Sequence, residues 1–236
     1  MAIRLSVGTS GFSYKEWLGK FYPEKLPGDQ MLAFYAKHFE TVEINNTFYR
    51  MPAETMLARW AAEAPAGFEF TLKAPRRITH EKRLREAEGD VAEFCRRAAT
   101  LGERLGMLLF QTPPFLKKDL ARLRDFLALL GQPERAAFEF RNDSWHSDDV
   151  YEELRSRRAM LCVTDTDEGE TPFVATSGRG YLRLRRTHYE DAELAEWARR
   201  IAEHPLERAY VYFMHEDDAL GTRFAQRLKA LWPEAR

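Results

Sequence analysis

The chain has little cysteine, no long apolar run and no excess of one charge, and each shortage excludes something. Its two cysteines, Cys95 and Cys162, both fall in apolar periodic segments. They read as buried, reduced thiols of a cytosolic protein, not as a disulfide. No stretch approaches the ~18 apolar residues of a membrane span. The N-terminal MAIRLSVGTSG lacks the apolar core of a signal peptide. A cytoplasmic protein without membrane association is therefore expected. The 36 Lys+Arg and 37 Asp+Glu leave a net charge of −1, so overall steering toward nucleic acid is not indicated, although a local basic patch stays open. The six histidines are scattered, with no H-x-H or H-E-x-x-H spacing. A divalent ion held by Glu43, Glu139, Asp165 and His215 would need four strands to converge, and no metal or organic cofactor is expected. A P-loop, a G-x-G-x-x-G after a strand and a G-x-S-x-G are all absent. Nucleotide-dependent and serine-hydrolase chemistry is thus left without a motif.

What is present is a regular alternation in 236 residues that are 44% hydrophobic. Short apolar or alternating runs at 3–7, 41–44, 68–73, 106–111, 136–141, 160–164, 181–185 and 209–214 read as strands. Between them lie amphipathic helical patterns such as Leu32, Tyr35, Ala36 and Phe39, or Val91, Phe94, Cys95 and Ala98. Ser147 reads as a helix N-cap with Asp148 and Asp149 in the first turn. The run at 106–111, GMLLFQ, is apolar throughout, as befits a strand buried on both faces. Eight strands alternating with helices predict a single (β/α)8 TIM-type barrel over residues 1–236. The sixth β/α unit looks irregular, since 166–180 shows no helix and 173–176 suggests a short extra strand. An open doubly wound sheet is the alternative.

A barrel of this type carries its site at the C-terminal ends of its strands. The stretch TVEINNTFYR at 41–50 runs from a strand into a polar, aromatic turn, and later strands end the same way. Candidate catalytic groups are Glu43, Glu139, Lys73 and Asp165. Candidate ligand-binding groups are Thr9, Ser10, Tyr14, Asn45, Asn46, Tyr49, Gln111, Arg141, Trp145, Arg183, Arg185 and His215. A scaffold role in ion pairs competes for each one singly. The set is harder to explain that way, because buried charges cost several kcal/mol unless paired. The excess of arginine predicts a small anionic ligand, a phosphate or carboxylate. Glu43 and Glu139 would serve as acid and base, one raised by burial and the other lowered by an arginine. Lys73 could form a Schiff base if its pKa were depressed, but nearby carboxylates would keep it charged. Two other readings stay open: nucleic-acid binding through basic loops 76–85 and 183–186, and a non-catalytic ligand sensor. Oligomeric state is not legible.

Six segments carry a resemblance: GTSGFSYKEWLGKFYP (8–23), TVEINNTFYR (41–50), KAPRRITHEKRL (73–84), LLFQTPP (108–114), AFEFRNDSW (137–145) and VYFMHED (211–217). In this order they resemble the YecE-like family, catalogued as domain of unknown function 72. The resemblance implies one (β/α)8 barrel and implies no reaction. It marks as motif positions Gly8, Thr9, Ser10, Tyr14, Trp17, Tyr22 and Pro23, then Glu43, Asn45, Phe48, Tyr49, Lys73, Gln111, Pro113, Glu139, Arg141, Ser144, Trp145 and Asp165. Phe12 stands where the family usually has tryptophan, Asn142 where histidine is usual, and Met214-His215 where asparagines are common. The barrel is also similar to divalent-metal barrel nucleases, by fold alone.

Overall fold

The structure is a computed structural model that describes residues 3–214 and 217–233. The elements run β1 (Arg4–Thr9), α1 (Met31–Tyr35), β2 (Thr41–Ile44), α2 (Asn46–Tyr49), α3 (Glu54–Glu63), β3 (Glu69–Lys73), α4 (Glu88–Ala98) and β4 (Leu105–Gln111). They continue α5 (Leu120–Ala128), β5 (Ala136–Glu139), α6 (Asp148–Ser156), β6 (Met160–Thr166), β7 (Gly169–Glu170), β8 (Arg179–Leu184), α7 (Asp191–Glu203), β9 (Arg208–Phe213) and α8 (Leu220–Ala230). Eight of the strands are parallel, in the order β1-β9-β8-β6-β5-β4-β3-β2, with β7 pairing off β6. The sheet nearly closes on itself. At the seam, Ser10 and Glu43 form a parallel bridge, and Gly11 N donates to Glu43 O at 2.7 Å. This is the expected TIM-type barrel.

Gly8 lets the seam form. A Cβ there would sit 2.1 Å from the Thr41 carbonyl oxygen, so only glycine allows β1 to come this near β2. Tyr35 of α1 fastens the same seam, its hydroxyl accepting from Thr9 N at 2.8 Å and donating to Thr41 O at 3.1 Å.

The strands bury both faces, so two cores exist. Between strands and helices lies the larger one, which includes Val7, Phe70, Phe110, Phe138 and Leu182. Each such side chain stabilises the fold by about 1.5–3 kcal/mol. Inside the barrel, Met107, Leu109, Ala137, Met160, Cys162, Tyr181, Tyr210 and Tyr212 pack together. Below them Arg208 pairs with Glu69 at 2.8 Å. Midway, the Tyr212 hydroxyl shares hydrogen bonds with Thr41 and Thr71, both 2.8 Å.

The sixth unit is irregular, as the sequence implies, but not in the expected manner. Segment 173–176 forms no strand. The extra strand is β7, which turns back antiparallel to pair Asp165 with Glu170. The Thr176 hydroxyl then holds the returning chain to β6 by accepting from Leu161 N and donating to Ala159 O. Ser147 does occupy the N-cap of α6, yet its hydroxyl makes no cap bond and donates to Asp149 at 2.6 Å instead. Both cysteines are free, Cys162 buried and Cys95 partly so. Among the described residues no helix is long and apolar enough to cross a membrane.

Candidate functional site

Alternation along the strands points Ser10, Glu43, Lys73, Gln111, Glu139 and Arg183 into the upper barrel, above the inner apolar cluster. The centre of this layer is Arg183, which is fully buried. Its guanidinium donates to Glu139 Oε2 through Nη1 and to Glu43 Oε1 through Nη2, the latter at 2.8 Å. Nη2 also lies 3.4 Å from Asn45 Oδ1. Ser10 and Tyr181 donate to Glu43 at 2.6 and 2.5 Å. Gln111 and Arg141 donate to Glu139 at 2.7 and 3.0 Å. One arginine from β8 thus bridges carboxylates from β2 and β5, across the barrel. Among the described residues Arg183 Nε finds no acceptor.

These contacts fix the protonation states. Burial alone would raise the Glu43 carboxyl, but Arg183 and Arg185 outweigh it and hold the pKa at about 2. The same balance, with Arg141 and Lys73 added, puts Glu139 well below the usual carboxylate range. Here the structure departs from expectation. A split pair was predicted, one carboxyl raised and one lowered, yet both are lowered because both share the same guanidinium. Arg183 is raised above the ordinary arginine value: burial opposes its charge, and the two glutamates more than compensate.

Lys73 departs in the other direction. Its side chain is 8% exposed, and the Phe48 ring lies 4.1 Å from Nζ. Burial first, then Arg183, push it down to about 7 against the weaker pull of Glu139 and Glu43. Carboxylates were expected to keep it charged, but theirs is already committed to Arg183. Burial and the neighbouring Arg183 likewise lower Arg185, to about 10. His80 is lowered too, by burial and then by Lys73, Arg141 and Arg76.

A cleft of about 910 Å³ opens beside this layer, lined by Glu139, Arg141, Thr164, Arg185 and Met214 and by Asp167, Glu168 and Glu170. A second cleft of about 390 Å³ holds Tyr14, Asn45 and Asn46.

Of the residues singled out from sequence, Ser10, Glu43, Asn45, Lys73, Gln111, Glu139, Arg141, Arg183 and Arg185 come together. Asp165 does not. It faces the helix layer, where Arg186, Tyr189 and Trp197 donate to it at 2.7, 3.0 and 3.0 Å. The Thr9 hydroxyl lies 2.6 Å from Gly11 O and 2.9 Å from Tyr35 Oη. Trp145 is buried, stacked on Phe140 at 4.6 Å, with its indole N–H on Leu116 O. Tyr14 donates to Ser10 O at 2.6 Å, and Tyr49 is 76% exposed. His215 lies outside the described residues. Tyr181 and His80 were not singled out. Tyr181 was legible two residues before Arg183 on the same strand face, whereas His80 lies in the short helical turn Arg77–Glu81, which reads from sequence as a basic loop. Among the described residues no three His, Cys, Asp or Glu side chains converge as a cation site. The basic loop is largely ion-paired: Arg76 with Glu81, Arg77 with Asp90 and Arg85 with Asp119.

An eight-stranded parallel barrel with outer helices and a charged cluster at the strand C-termini defines an α/β barrel of the TIM type. The chain matches the family described as "Protein of unknown function DUF72" over residues 6–236 and belongs to it. A crystal structure of a DUF72 family protein from Thermotoga maritima is 28% identical with a TM-score of 0.85, covering 97% of this chain and 98% of that one. A DUF72 family protein from Enterococcus faecalis shares the fold at 20% identity and a TM-score of 0.80, covering 98% of this chain and 96% of that one. The UPF0759 protein YecE of Escherichia coli strain K12 is 32% identical over 122 residues, 51% of this chain and 42% of YecE. The UPF0759 protein YunF of Bacillus subtilis strain 168 is 31% identical over 144 residues, 57% of this chain and 51% of YunF. The chain spans about half the length of the curated relatives it matches.

Proposed function

We propose that the protein is a cytoplasmic enzyme that binds a small phosphate- or carboxylate-bearing compound at the mouth of the barrel and acts on it by acid–base chemistry. The observation that carries the reading is the lining of the larger cleft, where Arg141, which donates to Glu139 and is still 41% exposed, stands with Arg185 at the strand C-termini. An anion in the cleft meets Arg141 already oriented by its hydrogen bond to Glu139, so little side-chain ordering is left to lose on binding. Glu43 and Glu139, held ionised, act as fixed charges that aim Arg183. Lys73, near 7, is the group able to exchange a proton at neutral pH.

The test is to weigh the purified, untreated protein by native and then denaturing mass spectrometry. A retained anionic compound that is lost from the Arg185→Gln protein supports the reading. A protein that is empty, and also binds neither inorganic phosphate nor oxalate by calorimetry, refutes it. So does a mouth that holds DNA or RNA with steep salt dependence.

A further inference from the structure

We propose that Lys73 is a nucleophile whose amine condenses with a small aldehyde or ketone carrying a phosphate or carboxylate, holding it in the mouth as an imine. This rests on the anion-binding reading above and names the substrate class within it.

Four observations support it. Lys73 ends β3, at the face of the barrel where chemistry is placed. Its main chain is fixed there, since the Thr47 hydroxyl donates to Lys73 O at 2.6 Å. Among the described residues no carboxylate comes within ion-pairing distance of Nζ, because Glu43 and Glu139 are taken up by Arg183. The charged groups facing it are Arg183, Arg185, Glu139 and Glu43 from the barrel and the titratable His80 from the helical turn Arg77–Glu81. The balance leaves a large share of the amine unprotonated at neutral pH, which an imine-forming lysine requires. The Phe48 ring beside Nζ suits either the ammonium or the protonated imine, both cations.

The step balances without a co-reactant. A C–N bond forms between Nζ and the carbonyl carbon as the C–O bond breaks. The oxygen leaves as water with two of the three ammonium protons, and the third stays on the nitrogen of the iminium. Arg141 and Arg185 line the neighbouring cleft with Glu139, one of the charges acting on Lys73, and are assigned the anionic group of the same molecule.

Glyoxylate serves as the probe, with cyanoborohydride to reduce any imine to a stable secondary amine. Intact mass and peptide mapping read the site, and oxalate serves as the unreactive anion. The expected result is one carboxymethyl group on Lys73, formed at pH 7 roughly a thousandfold faster than on an ordinary exposed lysine, from the difference in neutral-amine fraction. Oxalate should slow it, and Lys73→Met should abolish it. Mapping on the unmodified protein keeps the test valid even where Lys73→Met fails to fold. Oxalate binding without preferential labelling of Lys73 overturns the nucleophile and leaves the anion reading standing. Labelling of Lys73 that oxalate does not slow overturns the anionic substrate class. Absence of both removes the two together.

Discussion

Replacing Arg183 by methionine tests the centre of the site most directly. The side chain is fully buried, and the two carboxylates it bridges are 0% and 3% exposed. Removing it strands two like charges in a low-dielectric layer, and breaking a buried pair costs about 3–5 kcal/mol. Acid should reduce that cost. In the parent protein Glu43 has a folded pKa of about 2 against an ordinary 4.5, a gap worth about 3 kcal/mol. Because the folded value is the lower one, this stability is fully present above pH 4.5 and is lost as pH falls toward 2. In Arg183→Met the carboxylates rise above their ordinary value, so the variant gains stability as it acidifies. The two stability curves should therefore converge between pH 7 and pH 4. Urea denaturation, which does not screen charge, measures both across that range. The triple variant Glu43→Gln, Glu139→Gln, Arg183→Met should recover most of the loss at pH 7, since a neutral layer leaves no charge stranded. A difference that stays constant with pH, or a triple variant no more stable than the single, would refute the bridging account.

Two further substitutions separate scaffold from site. Gly8→Ala forces a Cβ onto the Thr41 carbonyl at the seam. It should destabilise by about 3 kcal/mol and speed amide exchange in β1 and β2 ahead of the other strands; uniform exchange would contradict the seam's role. Asp165→Ala removes the acceptor for Arg186, Tyr189 and Trp197. About 3 kcal/mol of stability should be lost, with anion affinity at the mouth unchanged by calorimetry. A changed affinity would return Asp165 to the site.

Eight strands, their helices and the barrel were legible because each strand reports its burial through local alternation or an unbroken apolar run, as GMLLFQ in β4 does. The polar residues at the strand ends were legible for the same reason, and so was the pairing of Arg183 and Arg185 on one face. Parity on a strand does not say which face is inside. Asp165 therefore looked like Glu139, although β6 turns it toward α7 and β5 turns Glu139 inward. Nor could a strand-by-strand reading assign charge states. Glu43 and Glu139 lie 96 positions apart, and Arg183 comes 44 positions after Glu139; only closure of the sheet sets one guanidinium between the two. The sequence by itself determined the barrel, its family and the residue types at its mouth, because those follow from periodicity and motif. The tertiary structure alone decided that both carboxylates stay ionised and that Lys73 is left near 7, because pKa values follow from distance and burial across the barrel, which local sequence does not encode.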